Sequence, residues 1–190
     1  LLACAVFFPT LQVPFLGWDD PFYVTDSLRI QRPGFAGFLQ LWDSTESWNG
    51  NFLEFFPLRD SVYWVLWHTF GATPVPFHVA SIIAHAIASM LVFALAGRLG
   101  VGRSVQFWGA LLFAVHPIHA ESVAWVAGLK DPLFASLMLG SLILYLDHRT
   151  RPRPWLYAAC LVLLIAALLA KSLALSAPLL MLAMGRLSEP

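Results

Sequence analysis

Long apolar stretches alternate with short polar turns along this chain, and one long mixed segment interrupts the series. The apolar stretches lie near 1–16, 76–97, 105–125, 132–147, 154–170 and 172–186. A helix that crosses a bilayer needs about 20 mostly apolar residues, at about 1.5 Å of rise each. The pattern therefore predicts an all-α, polytopic helical membrane protein. The last three stretches are short, so spanning with them requires tilt or local thinning. Stretch 154–186 is too long for one crossing and reads as a helical hairpin turning near Lys171. A single helix with Lys171 snorkelling to an interface is the alternative. The chain opens inside one apolar run and closes just after another, so it reads as a fragment with a C-terminal part missing.

The mixed segment, 17–75, is too long to be a passive connector. Its runs from Pro33 to Trp42 and from Asp60 to Phe70 mix apolar and polar residues at helical spacing. Both are predicted to be amphipathic helices lying at the membrane interface. Tyr63, Trp64 and Trp67 suit an interfacial aromatic belt. Gly71, Pro74 and Pro76 stop the second run before the next crossing.

Composition agrees with the pattern. Hydrophobic residues make up 59% of the 190 and charged residues 12%, with a mean hydropathy of +0.72. Soluble domains carry about 25% charged residues. Net charge is zero, which removes any global attraction to nucleic acid. Cys4 and Cys160 both lie in apolar stretches without metal-ligand spacing, and read as buried thiols.

Charge also orients the chain. Arg98 and Arg103 lie in one short turn, Arg149, Arg151 and Arg153 in another, and Arg186 follows the last stretch. If the crossings alternate, these turns share one side, which the positive-inside rule makes cytoplasmic. Segment 17–75 falls on the other side, where Asp19, Asp20, Asp26, Asp43, Glu46, Glu54 and Asp60 outnumber Arg29, Arg32 and Arg59.

Ionisable groups near a bilayer are costly and tend to have a partner or a task. Asp19 and Asp20 follow the first stretch directly. They suit a general base or a cation site, with mutual repulsion raising one pKa, or else a turn or helix cap. His116, Pro117, His119 and Glu121 close the third stretch, where the proline kinks or breaks a continuous helix. This group suits a hydrogen-bonded polar cluster lining a cavity, because its spacing is not a standard zinc pattern. Lys130 and Asp131 stand where the chain re-enters the membrane. Asp131 before Pro132 reads as an N-cap. Lys130 reads either as an anion contact beside a helix N-terminus or as a snorkelling side chain. Lys171 reads either as a snorkelling side chain or as an anion contact in a membrane cavity. Arg59 reads as a local ion pair with Asp60. His78 and His85, seven apart on one helix face, read as packed and hydrogen-bonded between helices. One base and several cations on one side suit a phosphate-bearing lipid substrate. The acid deprotonates an acceptor hydroxyl, and the cations hold the departing phosphate.

Four segments carry a family resemblance: WDDPFY, the block from Pro76 to Leu99, FAVHPIHAESVAWVAGLKD at 113–131, and AKSLALSAPLLML at 170–182. Through them the chain resembles the transmembrane, tetratricopeptide-containing O-mannosyltransferase family and its bacterial relatives, which are GT-C membrane glycosyltransferases. The resemblance implies a GT-C-like fold and an inverting transfer of sugar, mannose above others, from a polyprenyl phosphate to a protein Ser/Thr or glycan acceptor. It implies an acid of the first extracytoplasmic loop as base, which maps to Asp19 and Asp20 with Asp19 preferred. It makes Lys130, Lys171 and Arg59 donor-phosphate contacts, and His116, His119 and Glu121 acceptor or sugar contacts. No resident metal is assigned, and a divalent ion stays open as a cofactor. Where the family has Tyr-Arg-Pro-Leu, this chain has Phe55-Phe56-Pro57-Leu58 with Arg59 after it, which displaces the arginine. The family's tetratricopeptide repeats are not in this sequence. A bacterial inner membrane is favoured over an endoplasmic reticulum, with the active side extracytoplasmic. The competing readings are a transporter or flippase for a lipid-linked or anionic substrate, and an inert membrane scaffold.

Overall fold

The computed structural model describes residues 2–45 and 54–187. Leu1 of the first apolar stretch and Glu46 of the acidic segment lie outside the described residues. Among the described residues all regular structure is helical, with no strand.

Two long helices form the frame. Pro74–Arg98 packs along Lys130–Thr150, and Pro154–Ala170 packs on the other flank of Lys130–Thr150. The segments Pro74–Arg98 and Val126–Thr150 are long and apolar enough to cross a bilayer. Leu2–Gln12, Pro154–Ala170 and Ser172–Arg186 are apolar but shorter. Proline and glycine set most of the boundaries. Pro57, Pro74 and Pro154 each stand in the first turn of their helix, where a missing N–H costs nothing. Gly71 takes φ 69° to end Pro57–Phe70, and Gly100 takes φ 74° just after Arg98.

Three ties give the helices their directions. Arg98 Nε lies 3.1 Å from Asp147 Oδ1, joining the C-terminal ends of Pro74–Arg98 and Lys130–Thr150, which therefore run parallel. Lys171 pairs with Asp131, so Pro154–Ala170 runs back antiparallel. A Cβ on Gly185 would stand 3.2 Å from the Tyr145 hydroxyl and would press on Arg149, so Ala177–Leu187 returns to the arginine-bearing end. The basic turns thus gather at one end of the bundle, and Lys130, Asp131 and Lys171 gather at the other.

Several sequence expectations need correction. Stretch 105–125 is not one crossing helix, and it breaks at Pro117, the residue expected to kink or break it. Arg103–Val115 stops at His116, which adopts extended ψ 130°, and the chain continues as Pro117–His119 and Ala120–Ala124. A residue before proline is driven out of the α region, and Pro117 has no N–H to continue the ladder. The first stretch is Leu2–Phe7 followed by a tighter turn, Phe8–Gln12, with Pro9 in its second position. The last opens with a tight turn, Ser172–Ser176, before Ala177–Leu187. The hairpin turn at Lys171 is present, since that residue is fully extended at φ −162°.

The acidic segment folds back over one end of the frame. Val24, Ile30, Leu41, Tyr63, Phe77, Val126 and Leu129 form one core that joins it to the long helices. Gly34–Gln40 and Pro57–Phe70 are helical, near the two runs expected. Pro57–Phe70, however, buries Arg59, Asp60, Ser61 and Tyr63 and exposes Val65 and Phe70. Tyr63 is therefore not a belt residue. It is completely buried and donates a 2.7 Å hydrogen bond to the Val126 carbonyl. His78 and His85 behave as expected, at 2.9 Å from the Val13 carbonyl and 3.1 Å from the Ala114 carbonyl.

Candidate functional site

The two adjacent acids have opposite surroundings. Asp20 is completely buried. Its Oδ2 accepts the Leu16 N–H and its Oδ1 the Ala127 N–H, each at 2.8 Å. Burial pushes the Asp20 carboxyl above its ordinary value, and these two hydrogen bonds hold back part of that rise. Asp19 is exposed, with no hydrogen bond or ion pair to any described residue. One acid thus ties the end of the first segment to the turn before Lys130, and its neighbour is left accessible.

Lys130 and Arg59 meet on a residue the sequence had shown only as part of an acidic loop. Lys130 Nζ donates to both oxygens of Glu54 at 3.0 Å. Arg59 Nη1 donates to Glu54 Oε2 at 3.0 Å, and the Tyr23 hydroxyl donates to the same oxygen at 3.1 Å. The Arg59 guanidinium stacks 4.4 Å from the Tyr23 ring centroid. Its other edge pairs with Asp60, at 2.9 Å from Nε and 2.8 Å from Nη2, as the sequence expected. Arg29 Nη1 approaches the same Asp60 at 3.6 Å.

These contacts set the charges. Burial acts to raise the Glu54 pKa, but the hydrogen bond and charge of Lys130, with the charge of Arg59, outweigh it and hold Glu54 below its ordinary value. Burial and the Glu54 charge push Tyr23 up to about 12, so its hydroxyl stays a proton donor.

Lys171 is not in this cluster. It pairs with Asp131, one residue beyond Lys130. Asp131 is accordingly not the N-cap expected of it. The helix starts at Lys130 with Leu129 in the cap position and no side-chain cap bond, and the Asp131 carboxylate is satisfied by Lys171 instead. Neither lysine snorkels freely, since both are ion-paired.

The histidine group is split. His116 Nδ1 accepts the Ile118 N–H at 3.1 Å and so caps its own turn. His119 packs in a ring cluster, 4.4 Å from Phe113 and 4.9 Å from His85. Glu121 is exposed and lines a small apolar cleft of about 210 Å³ together with Val13, Leu16, Trp18, Ala120, Ala124 and Trp125. Trp18 and Trp125 meet edge-to-face there, at 6.3 Å, immediately beside Asp19. Among the described residues, no group of three or more His, Cys, Asp or Glu side chains is arranged to hold a metal ion.

Sequence reasoning missed Glu54 and Tyr23. Tyr23 lies in the quoted WDDPFY, four residues from Asp19, but nothing in its spacing marks the hydroxyl as a donor. Glu54 is 76 residues from Lys130, so only folding pairs them.

No protein-family model and no solved structure matches the chain. Curated relatives do. The chain is 34% identical to the protein O-mannosyl-transferase TMTC4 of Homo sapiens over 145 residues, 67% of this chain and 20% of that protein. It is 37% identical to the protein O-mannosyl-transferase Tmtc2 of Drosophila melanogaster over 113 residues, 56% of this chain and 12% of that protein. It is 27% identical to the protein O-mannosyl-transferase F38B6.6 of Caenorhabditis elegans over 111 residues, 57% of this chain and 16% of that protein. It therefore spans a fifth or less of the length of these relatives. Over the stretch it shares with them, the chain is a relative of proteins named TMTC protein O-mannosyl-transferases.

Proposed function

We propose that this chain is part of a multi-pass, GT-C-type membrane glycosyltransferase. It moves a sugar, mannose in keeping with its relatives' names, from a polyprenyl phosphate to a hydroxyl on protein Ser/Thr or on a glycan. The observation that carries this reading is the hydrogen bond from the Ala127 N–H to Asp20. It brings an acid pair and a lysine-led cationic cluster to one end of the bundle, opposite the basic turns. By the positive-inside rule that end is extracytoplasmic.

In this reading Asp19 is the base. Its carboxylate takes the proton of the acceptor hydroxyl as that oxygen attacks C1 of the sugar. The bond between C1 and the phosphate oxygen breaks, and its electron pair leaves on the polyprenyl phosphate. Configuration at C1 inverts. Lys130 and Arg59 stabilise the charge that grows on the leaving phosphate. Lys171 adds field from the next turn, tempered by Asp131. Asp20 is a positioning residue that holds its neighbour in place. Glu121, His119 and His116 border the acceptor or sugar side, with the Trp18 and Trp125 cleft as its apolar wall.

The test is sugar transfer by the full-length protein in membranes, supplied with polyprenyl-phosphate mannose and other polyprenyl-phosphate sugars. Asp19→Asn is expected to lose about 100-fold or more. Transfer that survives both Asp19→Asn and Asp20→Asn would remove the carboxylate mechanism. A transporter or flippase is the second reading, favoured by the helix break at His116–Pro117. It predicts movement of the lipid-linked sugar across the bilayer with no transfer to any acceptor. A scaffold predicts neither.

A further inference from the structure

Glu54 sits at the meeting point of three side-chain donors. Lys130, Arg59 and Tyr23 aim their donors at its carboxylate, all within 3.1 Å. That donor set, two cations and one neutral hydroxyl converging on an oxyanion, is equally suited to a phosphoryl group. The donors stand on regular structure: Tyr23 in Pro21–Thr25, Arg59 in Pro57–Phe70 and Lys130 at the head of Lys130–Thr150. Glu54 lies on irregular backbone ahead of Pro57. Its side chain is 29% exposed, against 2% for Arg59. The donors are thus carried by regular structure, and their occupant is more exposed than either cation. The charges point the same way. Lys130 and Arg59 both pair with Glu54, while Asp60 is already engaged by Arg59 and Arg29.

We propose that Glu54 is an internal stand-in for the donor phosphate. It holds the Tyr23–Arg59–Lys130 cradle closed when no donor is bound, and it must be displaced for a phosphoryl oxyanion to enter. This rests on the reading of the protein as a polyprenyl-phosphate enzyme, and it adds Tyr23 as a phosphate donor and Glu54 as a competitor. Displacement leaves the Glu54 carboxylate beside an incoming anion, so like-charge repulsion weakens donor binding. Removing the charge while keeping the shape relieves that penalty.

The experiment measures binding rather than transfer. The full-length protein is placed in nanodiscs of neutral lipid and titrated with polyprenyl monophosphate, with inorganic phosphate and with phosphatidylglycerol in separate arms. Glu54→Gln is expected to bind polyprenyl monophosphate about tenfold more tightly than the parent. Glu54→Asp, which keeps the charge, is expected to show no such gain. Lys130→Gln and Tyr23→Phe are expected to bind more weakly. Equal or weaker binding by a folded Glu54→Gln protein would overturn the proposal, because Glu54 would then be a support for the cradle. A gain seen only with phosphatidylglycerol or inorganic phosphate would also overturn it, since the site would then serve lipid headgroups or free anions. Tighter polyprenyl monophosphate binding without sugar transfer would uphold the cradle and remove the glycosyltransferase reading. Transfer without the gain would do the reverse.

Discussion

Asp20 accepts the backbone N–H of Ala127 across 107 residues of chain, at 2.8 Å, with both groups buried. This bond fastens the start of the acidic segment to the turn that leads into Lys130. It also divides the labour of the acid pair, since an acid engaged in this way is a poor candidate for exchanging protons with a substrate while its exposed neighbour is a good one.

Stability and transfer should therefore separate between the two acids. Asp20→Ala leaves the buried Ala127 N–H without an acceptor, at about 1–3 kcal/mol, and removes the partner of the partly buried Leu16 N–H. A clear fall in the thermal midpoint of the purified protein is expected. Asp19→Ala is expected to leave the midpoint unchanged and to abolish transfer. A stable Asp20→Ala protein would contradict the anchoring role.

Arg59 is the most demanding side chain in the segment. It is 2% exposed and pairs with Asp60 and Glu54 at once. Cutting one partner out of a buried ion pair costs about 3–5 kcal/mol. Arg59→Met is expected to lose that stability, read by denaturant or thermal unfolding. Arg59→Lys cannot span both carboxylates and is expected to recover only part of it.

Gly128 stands in the same turn as Ala127, and a Cβ there would meet backbone, at 3.0 Å from the Ser122 carbonyl oxygen and 3.1 Å from that of Glu121. Backbone cannot move aside as a side chain can. Gly128→Ala is expected to cost about 1–3 kcal/mol and to raise the KM for the donor by shifting Lys130. An unchanged KM alongside a lowered thermal midpoint would confine Gly128 to a packing role.

Lys171 and Asp131 offer a test of whether the later lysine contacts substrate. As an ion pair alone, Lys171→Met and Asp131→Asn should each lower stability and should couple in a double-mutant cycle by about 0.5–3 kcal/mol. As a phosphate contact, Lys171→Met should also raise the donor KM well beyond any effect of Asp131→Asn.

Acid sensitivity follows from Glu54. Its folded pKa lies below its ordinary value because the hydrogen bond and charge of Lys130, with the charge of Arg59, overcome burial. The unfolded chain binds the proton more readily, so the stability due to this group is present above about pH 4.3 and is lost as the pH falls below it. Thermal midpoints measured from pH 7 downward should hold until that range and then drop. Glu54→Gln should flatten the drop. An identical acid limb in parent and variant would assign the loss to other carboxylates.

Much of the architecture was legible from pattern because it depends on local quantities. The apolar runs marked where helices lie, since burying or lipid-facing twenty residues needs a matching composition. Proline at 74 and 117 and glycine at 71 marked where they stop or break, since φ preference and a missing N–H act on the residue itself. The grouping of Arg98, Arg149 and Arg151 away from Lys130 and Lys171 followed from charge and alternation, and the helix directions agree with it.

Partner choice was not legible, because it depends on which distant atoms meet. Asp19 and Asp20 are indistinguishable as letters, and only folding buries one on two backbone N–H groups and leaves the other accessible. Asp131 before Pro132 has the composition of a cap, yet its carboxylate is taken by Lys171 from the next helix. Tyr63 has the look of an interfacial aromatic, yet it is wholly buried against Val126. Glu54 and Lys130 share no spacing, and their pairing exists because the acidic segment folds over the end of the long helices. A buried charge must find its counter-charge wherever the chain brings one, and sequence distance does not enter that energy.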